Sequence, residues 1–169
     1  LERRTWVVGQ DYTAAPTCAT CHMSATPDQP LTHDVGERIS WTLRPAISTK
    51  INMVVYEDLW KEDLPEGAPL PKVGDSVKGQ DGTVRKVKAI LTWQQRRDRM
   101  RNVCFNCHAS GQVDGFYKQF DDLVVLYNEK FAKPAQKFMD ELTADGALNP
   151  KAPFEHDVQW VFWELWHHE

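Results

Sequence analysis

Cys18-Ala19-Thr20-Cys21-His22 and Cys104-Phe105-Asn106-Cys107-His108 decide how the rest of this sequence is read. The chain holds four cysteines, and all of them fall in these two C-x-x-C-H motifs. That pattern is the attachment signature of c-type haem. Two thiols add to the two vinyl groups of a porphyrin and form thioethers. The adjacent His then reaches the iron as proximal ligand. Cys18, Cys21, Cys104 and Cys107 are therefore the candidate attachment residues, with His22 and His108 as candidate proximal ligands. Three other uses of cysteine compete. A zinc site built from CxxC pairs does not require a His directly after each pair. A thioredoxin-like redox pair would be single and would sit near a βαβ pattern, which this sequence lacks. Paired disulfides need an oxidising compartment, and CxxC disulfides are usually reactive rather than structural. Two CxxCH motifs with no cysteine left over favour haem. Attachment of haem to CxxCH takes place outside the bacterial cytoplasm, so the expected location is the periplasm or an equivalent extracytoplasmic compartment.

Composition sets outer limits. The chain has 169 residues, with seven Trp, seven Phe and four Tyr, yet its mean hydropathy is −0.54. Aliphatic residues are thin beside that aromatic load, and a buried macrocycle would fill such an interior. An aromatic-rich core would serve equally on composition alone. The formal charge is −4, which disfavours nucleic acid as a partner. No apolar run approaches the length of a membrane span. The chain opens Leu1-Glu2-Arg3-Arg4 without an apolar targeting run, and it closes on Trp163-Glu164-Leu165-Trp166-His167-His168-Glu169 without a helix stop. Both ends read as internal points of a longer polypeptide.

Of six histidines, His33, His156, His167 and His168 remain after the two motifs. Bis-His ligation of two haems needs only two distal ligands. All four are candidates, and some are expected to serve haems attached elsewhere in a longer chain. The closing segment supports this. His156, Trp160, Trp163 and His167 recur at helical spacing on one face of an expected helix. Indoles on that face would pack on a macrocycle.

Along the chain, residues 1–30 read as irregular around the first motif, and a helix is expected at about Ile47–Trp60. Residues 61–90 change character. Pro and Gly are frequent, and Gln80-Asp81-Gly82-Thr83 is a hairpin signal, so a small β-hairpin-like insertion is expected around 72–90. A helical pattern resumes from Ile90 to the second motif. Phe116, Phe120, Leu123, Tyr127 and Phe131 form a stripe, best read as helix packing, within a helical segment of about 114–169. Pro134 kinks or restarts the helix, and Asp145-Gly146 ends it. The expected architecture is one multihaem cytochrome c domain over 1–169, mainly α and haem-packed.

Several longer runs resemble the octahaem hydroxylamine oxidoreductase family. They include Gly9-Gln10-Asp11-Tyr12, Ala15-Pro16-Thr17 leading into the first motif, and Thr32-His33-Asp34-Val35-Gly36-Glu37-Arg38-Ile39-Ser40-Trp41-Thr42-Leu43-Arg44-Pro45. Val103 with the second motif, Phe116-Tyr117, Tyr127-Asn128-Glu129-Lys130-Phe131 and the closing Trp163–Glu169 run belong to the same likeness, which covers nearly everything but about 61–90. The resemblance implies eight c-type haems in a full member, of which these two look like the last in chain order. It implies a catalytic haem cross-linked to a tyrosine in the oxidising enzymes, and bis-His haems that carry electrons away. Hydroxylamine, or hydrazine in anaerobic ammonium oxidisers, is the implied substrate, and the anammoxosome becomes a second implied compartment. Relatives without the cross-link reduce nitrite or hydroxylamine. A homotrimer and a soluble c-type cytochrome as electron acceptor are also implied. The catalytic haem and its tyrosine would lie outside these residues. No catalytic residue is assigned, and Tyr12 and Tyr56 are only candidate pocket neighbours. The rival reading is a stand-alone dihaem electron carrier.

Overall fold

Residues Thr49–Tyr56 form the central strand of a five-stranded antiparallel sheet, not the expected helix. This computed structural model describes residues 17–27, 29–43 and 46–167. The run Ile51, Met53, Val54, Val55, Tyr56 is rich in β-branched and aromatic residues. Its residues are buried on both faces of the pleat, save half-buried Val55. Mixed apolar spacing in so short a stretch suits helix and buried strand alike, and the partner strands decide between them.

The strands are β1 (Trp41–Thr42), β2 (Thr49–Tyr56), β3 (Lys61–Pro65), β4 (Ser76–Lys78) and β5 (Val84–Leu91). β2 pairs with β1, β3 and β5, and β4 closes onto β5. The hairpin signal holds: Gly79 N–H donates to the Thr83 carbonyl, and Gly82 takes φ +82°, where a side chain would be strained. The expected mainly α architecture with one small hairpin is thus corrected to a mixed fold. The stretch at 61–90 does not hang from a helical scaffold. It completes a sheet whose centre lies before it in the sequence. Val54, Tyr56 and Val87 form the sheet's core, with Leu64, Val77 and Ile90 packed around them.

The helices are α1 (Cys18–His22), α2 (Trp93–Cys104), α3 (Ser110–Tyr127), α4 (Lys133–Ala144) and α5 (Asp157–His167). A π turn at Asn128–Ala132 joins α3 to α4, and Pro134 follows it near the start of α4, in a helix whose backbone runs on through the turn. Thr92 and Gln95 form a capping box at the start of α2. The Asn52 side chain of β2 accepts from the Trp93 N–H, which fixes α2 to the sheet. Asp121 of α3 accepts two bonds from Arg97 at 2.7 Å and one from the Trp41 indole at 2.9 Å. Burial alone would push this carboxyl up. The bonds and charge of Arg97 outweigh it and hold Asp121 below the usual carboxylate range.

Candidate haem-attachment site

The first motif folds as a single capped turn. Thr17 accepts from the Thr20 N–H, and the Thr20 hydroxyl accepts from the Thr17 N–H, a reciprocal box that fixes α1. Cys18 and Cys21, three residues apart, share a face of that turn as free thiols. Next to them, His22 Nδ1 lies 3.2 Å from the Val35 carbonyl oxygen. A carbonyl can only accept, so Nδ1 is the donor in this contact and Nε2 is the nitrogen left to reach a metal. Arg38, 2% exposed, closes the other end of the turn. Its guanidinium donates to the carbonyls of Cys21 (2.8 Å) and Ser24 (2.5 Å).

The second motif closes α2. The N–H groups of Cys107 and His108 both donate to the Cys104 carbonyl, at 3.1 and 2.9 Å, before α3 begins at Ser110. Burial pushes the Cys104 thiol pKa up, and the charges of Cys21 and Cys107 add to the shift. The turn that carries the first motif packs on α2, the helix that ends in the second. The two motifs stand side by side. Among the described residues no three His, Cys, Asp or Glu side chains converge as they would around a protein-held metal ion.

Apolar space lies along α3. A cavity of about 140 Å³ is lined by Arg38, Trp41, Met100, Phe116, Tyr117 and Phe120. Tyr117 lies close enough to Cys104 for their charges to interact, and burial first, then Cys104, pushes its phenol up to about 12. A larger cavity of about 610 Å³ adjoins it, sharing Leu43 and Phe120, and runs past Leu123, Tyr127 and Phe131 to Trp166 and His167. That volume is in the range of cofactor sites. The Phe/Tyr stripe, read from the sequence as helix packing, therefore lines open space: Phe116 is 63% exposed and Phe131 52%.

The remaining histidines part company. His167 lines the larger cavity, its ring stacked on Trp163 at 3.9 Å. His156 stands exposed at the opposite end of α5, where its N–H donates to the Gln159 side chain. His33 is exposed on the loop after the first motif. His168 and Tyr12 lie outside the described residues. Tyr56 belongs to the sheet core; its hydroxyl donates to Glu62 at 2.7 Å, and burial, then that carboxylate, pushes it up to about 12. Sequence reasoning missed Val35, Arg38 and Arg96. The Asp34-Val35-Gly36 turn and two arginines that are 1–2% exposed are their structural marks. Only the Asp-x-Gly turn had a signal in the sequence.

The free paired thiols, the oriented imidazole and the aromatic-lined space fit a thioether-linked porphyrin. Residues 5–66, which contain the first motif, match the family described as "Seven times multi-haem cytochrome CxxCH". The match implies covalently bound haem c as the cofactor, and with it electron transfer of the multihaem c-type kind. No curated protein matches the chain. A solved structure described as "Hypothetical multiheme protein" shares the fold, with a TM-score of 0.56 at 19% identity over 95% of this chain. The chain spans 39% of that protein's length.

Proposed function

We propose that this chain is a segment of an extracytoplasmic octahaem oxidoreductase that oxidises hydroxylamine or hydrazine, and that its two haems relay electrons away from a catalytic haem held elsewhere. The observation that carries the relay role is the packing of α1, which holds the first motif, against α2, which ends in the second. Attachment sites on neighbouring turns keep two haems close, as electron transfer requires. Cys18, Cys21 and His22 would hold one haem; Cys104, Cys107 and His108 would hold the other. Bound haem c supplies a one-electron iron couple whose potential follows from axial ligands, burial and nearby charge. The chain's own part is to fix the imidazoles, cover the macrocycle faces and exclude water. The choice of a nitrogen substrate rests on the sequence resemblance, as do the homotrimer, the soluble cytochrome acceptor and the periplasmic or anammoxosome location.

His167 is proposed as a distal ligand for a haem that neither motif attaches. Ser110–Tyr127 has 18 residues, about 27 Å at ~1.5 Å per residue. The larger cavity reaches past the far end of that helix from the second motif. In the full protein, His167→Ala should then turn one low-spin haem high-spin in the electron paramagnetic resonance spectrum. An unchanged low-spin count would remove His167 from the ligand set.

A denatured intact mass of the purified protein, with a pyridine haemochrome count, tests the larger claim. Eight covalent haems on a chain several times heavier, with hydroxylamine-dependent reduction of those haems, is the expected result. Two haems on a 19.5 kDa polypeptide would mean a stand-alone dihaem carrier. Eight haems reduced by an artificial donor and reoxidised by nitrite, without response to hydroxylamine as donor, would assign the reductive direction.

A further inference from the structure

We propose that the sheet at 49–91 and helix α2 form a clamp that sets the reduction potential of the haem on Cys18 and Cys21, by holding the Val35 carbonyl against His22. The proposal rests on haem c at the first motif and is independent of the nitrogen substrate.

Residues 33–38 form a loop that Arg38 ties to the first motif at one end. Only one of its carbonyls, that of Val35, meets His22, and both residues flanking Val35 are tied down from outside. On one side, Asp34 receives Lys61 of β3 at 2.5 Å on one oxygen and the Gly36 N–H at 3.0 Å on the other. On the other side, the Gly36 carbonyl receives Arg96 of α2 at 2.5 Å. Arg96 is 1% exposed, and its second arm donates to Asp63 of β3 at 2.7 Å. Thus β3 reaches the loop twice, through Lys61 directly and through Asp63 by way of Arg96. A third tie runs from Arg99 of α2 to Glu37, whose other oxygen accepts from Thr32 at 2.9 Å. Lys61 and Asp63 sit two residues apart on one strand and so project to the same face. This is a role for the 61–90 stretch that surface decoration would not need.

The consequence is electronic as well as geometric. An imidazole whose Nδ1–H donates to a fixed carbonyl becomes a stronger donor through Nε2, which stabilises ferric iron and lowers the potential. Arg96, Lys61 and Asp63 are positioning residues: they act on iron only through Val35 and His22.

The sign of the potential shift separates this role from plain electrostatics. Loss of a nearby cation, by charge alone, favours ferric iron and moves the potential down. Release of the Val35 carbonyl moves it up. In the haem-loaded full-length protein, Arg96→Gln and Lys61→Met should therefore each raise the midpoint potential of the first haem. Arg96→Lys, which keeps the charge but not both bonds, should raise it too. The exchange of the hyperfine-shifted His22 Nδ1 proton with deuterium should quicken in all three. The haem on Cys104 and Cys107 serves as internal reference and should stay put. Arg96 is buried, so its variants risk misfolding. Lys61 has a side chain 37% exposed, and Lys61→Met keeps the test open. A fall in potential, or no change with unaltered proton exchange, would overturn the clamp. Absence of covalent haem on Cys18 and Cys21 would overturn it at its premise.

Discussion

Producing the full protein without any haem attached is expected to cost this segment most of its helical half while leaving the sheet folded. The reason lies in where the polypeptide buries its own apolar surface. Of the buried hydrophobic side chains, Trp41, Ile51, Met53, Val54, Tyr56 and Val87 belong to the sheet. The helical part contributes Val103, Val113, Val124, Ala132 and Leu148, mostly small. Helices α4 and α5 bury no residue at all. Meanwhile Phe116, Leu123, Leu126, Phe131, Phe138 and Trp160 are each about half exposed or more. A helix with so little of its apolar face covered is marginal by itself.

Covering a large apolar side chain stabilises by ~2 kcal/mol, so the loss of cover over three of them amounts to ~6 kcal/mol. That is comparable with the whole stability of a small domain. The haem-free protein should show no covalent haem by denatured mass and a large fall in helical circular dichroism. Amides of β2 and β5 should keep their protection in hydrogen exchange, while those of α3 and α4 lose it. Retention of the haem-loaded protein's helicity and melting temperature would show that the polypeptide alone holds the helices.

The same distribution explains how much was legible in the sequence. Local chemistry announced itself. The CxxCH motifs, the Gln80–Thr83 turn, the helix before the second motif and the departure from regular helix beside Pro134 each depend on residues within a few positions of one another. Strand β2 did not, because its helix-like apolar spacing is resolved only by β3 and β5, which follow it in the chain. The aromatic stripe of α3 was visible as a stripe, but whether such a stripe meets protein or an open cavity is a tertiary fact. Likewise, the attachment cysteines could be named without their surroundings. The carbonyl that orients His22 could not, since it depends on a buried arginine 60 positions from the residue it anchors.

A second large effect is expected at Asn128, the residue that opens the π turn. Its side chain is 8% exposed and makes two bonds to one backbone residue: the Ser48 N–H donates to Oδ1 at 3.1 Å, and Nδ2 donates to the Ser48 carbonyl at 2.7 Å. Such a pair imitates a strand ladder and joins the chain entering β2 to the α3–α4 junction. The π turn carries one extra residue per turn and re-aims the side chains after it. Here it keeps Tyr127 and Phe131 stacked at 6.3 Å along the larger cavity.

Asn128→Ala would orphan two buried backbone groups of Ser48. Each orphan costs ~1–3 kcal/mol, so a loss of ~2–4 kcal/mol is expected in chemical denaturation of the haem-loaded protein. Asn128→Asp should also be damaging. Its carboxylate still accepts from the Ser48 N–H but sets a charge against the Ser48 carbonyl where a donor stood. Ser48→Ala is the control, because the bonds use Ser48's backbone and survive that change. If Asn128→Ala stays within ~0.5 kcal/mol of the parent, as ordinary surface substitutions do, the pair is incidental. The π turn would then need another cause. If the predicted loss appears with Ser48→Ala near neutral, the floor of the cavity under His167 is held by a single amide side chain. The aromatic wall of that cavity should then shift whenever Asn128 is disturbed.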